Sequence, residues 1–326
     1  MLNQSIIEDK IKGLFYGQAI GDALGLSTEF LTKEQIKHLY PNGISQYEDI
    51  IEDEHRKRWV KGDWTDDTDQ FLAIVDSIIK ANKVDEIAFA KELIGWFNDC
   101  PMGIGNTVIK VLKMPGYTSN PHQAAELTWK LSGQKVASNG AIMRTSILGA
   151  YSFWDYQQVI HNTIKICKTT HFDPRCIGSY VIISLIIAQI LQENKFLTVN
   201  EIKNIANQYD ERIIPFIDLA LSKDINELDL ENDVDMGYTL KTLSVALWAY
   251  FNRNDFTNTL TTIIHQGGDA DTNATVAGSL LGTIYGFRSL PKDLVNGLIY
   301  KDLLNQKFEE FLLINQKLNN KKGYHY

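Results

Sequence analysis

Residues 64–79 read WTDDTDQFLAIVDSII, in which a cluster of hydroxyls and carboxylates leads directly into an apolar repeat. The apolar side chains have the spacing of one helical face, at Phe71, Leu72, Ile74, Val75, Ile78 and Ile79. Thr65 and Asp66 precede this face as N-cap candidates, and carboxylates in the first turn favour the helix dipole. The stretch therefore predicts an α-helix whose N-terminus is crowded with oxygen atoms.

The same helical spacing recurs along the chain. It covers residues 8–24, 84–97, 121–131, 156–168, 174–191, 198–208, 240–252, 255–266, 272–286 and 294–318. No run of alternating strand residues competes with these segments, so the sequence predicts an all-α fold, with a polar loop at 224–235. The 326 residues include only 7 prolines, and no Ser/Gly/Pro linker interrupts the chain. Both observations favour a single domain over residues 1–326.

Composition limits the classes of function. The formal net charge of -8 argues against a nucleic-acid surface, although a small anionic ligand needs only a local cradle. The 3 cysteines are not spaced like a disulfide framework or a zinc site, which favours a reducing compartment. The start does not resemble a signal peptide, and the apolar run 181–191 is too short to span a bilayer. We expect a cytoplasmic monomer without membrane or direct nucleic-acid partners.

A second acidic cluster lies near the other end of the chain, where residues 267–273 read GGDADTN and open another apolar helical pattern. Crowded carboxylates repel one another unless a cation lies between them, and oxygen ligands suit Mg²⁺, Mn²⁺ or Ca²⁺ rather than zinc. Helix N-capping is the competing interpretation of either cluster alone. An EF-hand fails because Ala274 and Leu280 stand where the calcium loop needs Gly and Glu. A fold that joins both clusters would form one metal site.

Four glycine-bearing segments precede predicted helices as candidate loops, at residues 21–25, 101–107, 138–141 and 267–268. Glycine lets the backbone approach a ligand closely, and free N–H groups at a helix start bind anions. Together with the two acidic clusters, these segments favour a ligand site over a set of simple turns.

These motifs resemble, in their order, those of the ADP-ribosylglycohydrolase family. The matching segments are residues 17–25 with Glu29 and Phe30, 64–68, 101–107, 138–144, 170–175, 267–272, 277–278 and 285–286. The resemblance implies an orthogonal bundle of many helices around a central cleft with a binuclear Mg²⁺ site, in which Mn²⁺ can substitute. It also implies hydrolysis of the glycosidic bond between ADP-ribose and a modified protein side chain or a small ADP-ribosyl compound.

The resemblance also implies roles for individual residues. It assigns metal coordination to Thr65, Asp66, Asp67, Asp269, Asp271 and Thr272. It assigns catalysis to Glu29, Asp67 and Asp269, although Glu29 has a competing interpretation as an exposed carboxylate. It assigns substrate binding to Gly103, Ile104, Gly105, Ser138, Asn139, Gly140, Met143, His171 and Asp99. Within this set, residues 138–140 would cradle the diphosphate and residues 103–105 would line the distal ribose.

Three basic side chains near these motifs have two interpretations each. Arg144 would either assist the diphosphate or form a structural ion pair. His171 would either lie near the ligand or simply be packed. Arg175 would either serve the ligand or hold its own loop through Asp173.

The function also has alternatives. A catalytically silent ADP-ribose-binding or structural member of the family is one, and a binuclear phosphohydrolase is supported by shared carboxylates alone. An arginine linkage is favoured because a bulky, cationic leaving group needs acid and room. Glu29, Asp99 and residues 101–105 would supply both.

Overall fold

The computed structural model describes residues 2–322. Within them it contains sixteen α-helices and no β-sheet, and one isolated β-bridge pairs Ser138 with Tyr238. The helices are α1 (Gln4–Gly25), α2 (Lys33–Leu39), α3 (Asp66–Ala81), α4 (Glu86–Asn98), α5 (Asn106–Leu112), α6 (Pro121–Leu131), α7 (Ser146–Ala150), α8 (Tyr156–Cys167), α9 (Pro174–Glu193), α10 (Val199–Ala206), α11 (Ile214–Leu219), α12 (Thr239–Asn252), α13 (Phe256–Ile264), α14 (Ala270–Tyr285), α15 (Lys292–Gly297) and α16 (Lys301–Lys322). The predicted all-α class is confirmed.

Most helices lie where the apolar spacing places them. The predicted segment 121–131 coincides with α6, and the segment 156–168 exceeds α8 by one residue. Four helices, α2, α5, α7 and α11, are missing from the prediction because five to seven residues hold too few turns to show a period. Residues 224–235 are irregular apart from the 3₁₀ turn Ile225–Leu228, as predicted for a loop.

The segment 294–318, predicted as one helix, is two helices, α15 and α16. The chain leaves the helical path at Leu298, whose side chain is buried, and the Ile299 N–H donates to the Gly62 carbonyl oxygen at 3.0 Å. This burial and this hydrogen bond favour a turn over a continued helix.

Helix α9 lies inside the core, where it packs against α7, α8 and α12. It is the one helix among the described residues that is long and apolar enough, by length and composition, to cross a membrane. Of its 20 residues, 16 are buried within the protein. Its apolar composition is therefore accounted for by packing, as expected for the run 181–191.

Helices α1 and α14 pack backbone against backbone along a glycine seam. The facing residues are Gly13, Gly17 and Gly21 of α1 and Gly282, Gly278 and Ala274 of α14. A Cβ atom added to Gly17 would lie 2.1 Å from the Gly278 carbonyl oxygen, too close for any side chain. Residues 21–25, predicted as a ligand loop, are instead the last turns of α1. The seam holds the N-terminus of α14 beside the C-terminal half of α1.

Candidate metal centre and substrate cleft

The N-termini of α3 and α14 lie side by side, so the two acidic clusters of the sequence meet. Thr272 Oγ1 donates to the Asp67 carboxylate, at 3.1 Å from one oxygen and 3.3 Å from the other, across 205 positions of sequence. Four aspartates line the same cleft and are called the carboxylate cluster below: Asp66, Asp67, Asp269 and Asp271.

Helix capping uses few of these side chains. Thr65 is the N-cap of α3, and its Oγ1 accepts from the Asp67 N–H at 3.4 Å. Asp269 is the N-cap residue of α14, yet its side chain makes no capping hydrogen bond and accepts instead from Asn139 Nδ2 at 2.8 Å. This geometry favours a ligand role for the carboxylate cluster over helix capping.

Asp22 of α1 is a site residue that the sequence reasoning missed. One carboxylate oxygen accepts from the Thr65 N–H at 3.0 Å and from Thr65 Oγ1 at 2.8 Å, and the other accepts from the Thr68 N–H at 2.9 Å. Asp22 thereby ties the first turn of α3 to α1. A lone carboxylate between apolar and glycine positions of a helix is the sequence feature that could have revealed it.

The electrostatics of the cluster would suit a bound cation. Burial raises the pKa of Asp66, Asp67 and Asp271 well above its ordinary value, and repulsion from neighbouring carboxylates raises it further. One oxygen each from Asp22, Asp67 and Asp271 lie within 4.8 Å of one another. A divalent cation would relieve this crowding, so these residues fit a metal. Since both oxygens of Asp22 already accept hydrogen bonds, we assign Asp22 to positioning rather than to coordination.

Glu29 lies at the edge of the cluster and is buried, with 8% of the residue exposed, which excludes the exposed-carboxylate interpretation. His55, which the sequence reasoning also missed, places Nε2 2.5 Å from Glu29 Oε2. Arg58 Nη2 lies 2.6 Å from His55 Nδ1, and an arginine can only donate. Nδ1 is therefore the acceptor and Nε2 carries the hydrogen that His55 donates to Glu29.

Gly268 joins the segment of Glu29 to the second acidic cluster. The Phe30 N–H donates to the Gly268 carbonyl oxygen at 2.7 Å, and the Gly268 N–H donates to the Leu31 carbonyl oxygen at 3.0 Å. Gly268 has a φ of 64°, and an added Cβ would lie 2.0 Å from the Leu230 carbonyl oxygen. Only glycine fits here, which explains why the acidic motif begins with glycine.

The substrate cleft above the carboxylate cluster has a volume of about 350 Å³. Among its lining residues are these predicted site residues: Glu29, Asp66, Asp67, Gly103, Gly105, Ser138, Asn139, Gly140, Met143, His171, Asp269, Asp271 and Thr272. Three predicted residues, Thr65, Ile104 and Asp99, do not belong to the described lining. Thr65 lies behind the cluster against Asp22, and Asp99 is exposed at the end of α4.

The predicted diphosphate loop, residues 138–140, is partly engaged by the protein itself. The Asn139 N–H donates to the Gly237 carbonyl oxygen at 3.0 Å, and its Nδ2 donates to Asp269 and to Thr242 Oγ1. Asn139 therefore orients the carboxylate cluster rather than offering its N–H to an anion. Of this loop, the Ser138 hydroxyl and the Gly140 backbone remain the candidates for binding an anion.

A chain of hydrogen bonds runs from buried Arg144 to the cleft. Arg144 Nη2 donates to Thr170 Oγ1, and this oxygen lies 2.8 Å from His171 Nδ1. On the other side of the imidazole ring, His171 Nε2 lies 2.9 Å from Ser138 Oγ. Ser138 Oγ in turn lies 2.9 Å from Thr107 Oγ1. Burial and the Arg144 charge lower the pKa of His171 to about 3, so this imidazole is neutral. Arg144 and His171 thus orient the Ser138 hydroxyl, and Arg144 does not line the cleft.

An apolar cavity of about 460 Å³ continues from the cleft and shares Thr107 and His171 with it. Trp129 and Phe172 form part of its wall, with ring centroids 5.9 Å apart. Asp173 fixes this wall, because it accepts from Trp129 Nε1 at 2.9 Å and from the Arg175 guanidinium at 2.8 Å on each oxygen. Arg175 therefore holds its own loop.

The protein is thus an all-α bundle with glycine-packed helices, in which a cleft combines a cluster of buried carboxylates with an adjoining apolar cavity. The family described as ADP-ribosylglycohydrolase matches residues 3–322, and the chain belongs to this family. The resemblance found in the sequence motifs is confirmed.

Several relatives share most of the chain. ADP-ribosylarginine hydrolase Tri1 from Serratia proteamaculans (strain 568) is 24% identical over 313 residues, covering 93% of this chain and 78% of that protein. ADP-ribosyl-[dinitrogen reductase] glycohydrolase from Rhodospirillum rubrum is 25% identical over 307 residues, covering 90% and 92%. A solved structure described as an ADP-ribosylglycohydrolase-related protein complex shares the fold, with a TM-score of 0.76 at 21% identity over 95% of this chain and 99% of that one.

Proposed function

We propose that the chain is a metal-dependent hydrolase that releases ADP-ribose from a modified protein side chain, arginine being favoured, or from a small ADP-ribosyl compound. The observation that carries the proposal is the buried carboxylate cluster at one end of a cleft whose other end opens into an apolar cavity. Family membership supports hydrolysis of an ADP-ribosyl bond, and the names of the Tri1 and Rhodospirillum relatives support a protein substrate.

The order of the subsites matches the order of groups in ADP-ribose. The apolar cavity, with Trp129 in its wall, suits an adenine ring, which is flat and largely apolar. Ser138 and Gly140, in the middle of the cleft, suit the diphosphate. The distal ribose then lies at the carboxylate cluster, with the bond to be cleaved at its C1 atom.

Two Mg²⁺ ions, for which Mn²⁺ can substitute, are the proposed cofactors. The residues that would hold them are Thr65, Asp66, Asp67, Asp269, Asp271 and Thr272. Thr65 fits least well, because its Oγ1 donates to Asp22 and lies outside the cleft lining. When bound, such ions lower the pKa of a water and fix the sugar hydroxyls.

The side chains of this protein supply the remaining chemistry. Cleavage at C1 builds oxocarbenium-like positive charge on the ribose, which the carboxylates of Asp67 and Asp269 stabilise electrostatically. Glu29 accepts the proton of the attacking water, and its hydrogen bond from His55 Nε2 keeps the carboxylate oriented. Asn139 does the same for Asp269.

Release of ADP-ribose from a chemically defined arginine-linked peptide tests the proposal. The protein is assayed with Mg²⁺, with chelator and as the Asp269→Asn variant, and released ADP-ribose is quantified by chromatography. We expect release with Mg²⁺ only, and strongly reduced release by the variant. Binding of ADP-ribose without release under any condition would support the silent-member alternative instead.

A further inference from the structure

Phe30 combines an exposed ring with a strained backbone. Its φ of 63° lies in the left-handed region, which a bulky aromatic residue rarely adopts. The other non-glycine residues with positive φ in the described chain are Asn, Asp, Ser, Gln and Cys residues. Phe30 is 56% exposed and lines the substrate cleft. A single exposed apolar side chain needs no explanation, but one maintained against backbone strain indicates a functional role.

We propose that the Phe30 ring stacks on the guanidinium of the ADP-ribosylated arginine and thereby selects an arginine linkage. The inference rests on the proposed function, because it assigns a contact to the leaving group of that reaction. It gives a role to a residue that neither the carboxylate cluster nor the proposed diphosphate and adenine subsites use.

The first argument is position. An arginine side chain joins the ribose in the cleft to a protein outside it, and its guanidinium nitrogen is bonded directly to C1. The guanidinium therefore lies where the cluster end of the cleft opens to solvent. Phe30 is at this end, because its N–H donates to the carbonyl oxygen of Gly268, the residue before Asp269, at 2.7 Å. The exposed residues among those described as lining the cleft are Phe30, Gly103, Gly105 and Asn106.

The second argument is that the protein holds the ring in place. The Leu31 N–H donates to the Thr28 carbonyl oxygen at 3.0 Å, which closes the turn around Phe30. The Phe30 ring centroid lies 5.2 Å from that of His55, and the His55 centroid lies 5.4 Å from that of Trp59. A ring fixed by a turn and by packing on one side loses little freedom when a ligand stacks on its open side.

The third argument is chemistry. A guanidinium is planar, charged and weakly hydrated, and it stacks on aromatic faces. The same interaction occurs within this protein, since the Arg58 guanidinium carbon lies 4.5 Å from the Trp59 ring centroid. A serine linkage places a neutral oxygen at this position and gains no such contact. The Phe30 ring therefore favours arginine over serine.

Binding to the product complex tests the contact without requiring turnover. Nα-acetyl-arginine amide and its neutral isostere Nα-acetyl-citrulline amide are titrated by calorimetry into protein saturated with Mg²⁺ and ADP-ribose. We expect the arginine compound to bind at least about fivefold more tightly. Phe30→Leu should weaken the arginine compound about fivefold and change the citrulline compound less than about twofold. Equal binding of both compounds by the unchanged protein would overturn the inference.

Kinetics separate the contact from a structural role. Phe30→Leu keeps an apolar side chain and removes the aromatic face, so it should raise the KM for an arginine-linked peptide about fivefold and lower kcat by less. Inhibition by ADP-ribose should not change, because ADP-ribose lacks the guanidinium. Phe30→Trp should restore the low KM. Leu313→Ala is the control, because it shortens a side chain of similar exposure (55%) on α16 and should change neither constant.

The strained backbone gives an independent measurement. Phe30→Gly and Phe30→Ala both remove the ring, but only glycine adopts a φ near 63° without strain. The glycine variant should therefore have the higher melting temperature, although both variants lose the preference for arginine over citrulline. A higher melting temperature for the alanine variant would overturn the strain argument.

The outcomes separate this contact from the proposed function. Hydrolysis of the arginine-linked peptide with unchanged KM in Phe30→Leu overturns the contact and leaves the function standing. Selective arginine binding that Phe30→Leu weakens, in a protein that hydrolyses no ADP-ribosyl bond, supports the contact and contradicts the function. Bound Mn²⁺ is counted in every variant so that lost metal is not mistaken for a lost contact.

Discussion

The floor and the outer wall of the substrate cleft are built in opposite ways. The floor consists of helix termini, where Asp67 is 1% and Thr272 5% exposed and the backbone below belongs to the glycine seam. The wall includes the loops 101–105 and 232–237, in which Met102 is 39% and Val234 93% exposed. The floor is therefore buried among packed helices, whereas these loops are exposed or half-buried.

This difference separates reaction from substrate choice. Groups that act on the sugar need fixed positions, and helix N-termini locked by a packed backbone supply them. Groups that meet the leaving side chain must suit one partner, and loops change sequence at small cost to stability. We therefore expect substitutions in the floor to change turnover or stability strongly, and substitutions in the wall to change mainly KM.

The largest effect is expected for Asp271→Asn in the floor. Loss of one proposed metal ligand should lower turnover on the order of 100-fold and weaken Mn²⁺ binding. The same change should raise the melting temperature in chelator, because it removes one of several crowded buried carboxylates. Turnover, Mn²⁺ stoichiometry and thermal unfolding are measured with Asp293→Asn, an exposed charge of α15, as control. Unchanged turnover would remove Asp271 from the site.

The next largest effect is expected for a substitution in the glycine seam. Gly17→Ala should lower the free energy of unfolding by about 2–3 kcal/mol, since its Cβ would meet the Gly278 carbonyl oxygen. Gly95→Ala in α4 is the matched control, because no atom lies within 4 Å of the added Cβ there. It should raise stability by about 0.5–1 kcal/mol. Urea unfolding compares the two, and shifts of the same sign would contradict a tight seam.

The third largest effect is expected from pH, which should shift the melting temperature of the metal-free protein by several degrees. Burial raises the pKa of Asp22 from 3.8 to about 7 in the folded chain. Between these values the native state holds a proton that the unfolded state has lost, so stability falls as pH rises through the window. The melting temperature in chelator should therefore drop from pH 5 to pH 8. Mg²⁺ should flatten this slope, because it favours the ionised carboxylates. A melting temperature that rose with pH in chelator would contradict this prediction.

The smallest effect is expected for Asp99→Ala. The sequence favoured Asp99 as an acid for the leaving group, but it is exposed at the C-cap of α4 and does not line the cleft. KM for an arginine-linked substrate should change less than about twofold, as for most exposed positions. A clear rise in KM with kcat unchanged would return Asp99 to the leaving-group site.

The sequence predicted best those helices that have several turns of regular apolar spacing. Helices such as α6 and α9 show several turns of one apolar face, so their existence follows from spacing. Glycines of α1 were misinterpreted as a loop, because glycine disfavours an isolated helix and only the partner α14 shows why it is needed.

The site was predictable where several acidic residues stand together in the sequence and not where single residues meet through the fold. Asp66 and Asp271 belong to dense motifs, whereas Asp22 and His55 gain their roles from partners far along the chain. The one local sign of Asp22 is its place as a lone carboxylate among apolar and glycine residues, and nothing local marks His55.

The glycine seam also bears on how the protein is made. It pairs residues 13–21 with residues 274–282, so the Asp22 and Asp271 carboxylates approach each other only after almost the whole chain has left the ribosome. Contacts of such sequence separation form late and slowly. Incomplete chains that end before Asp269 would thus carry only Asp66 and Asp67 of the carboxylate cluster and no working site, and activity would appear abruptly near the end of synthesis.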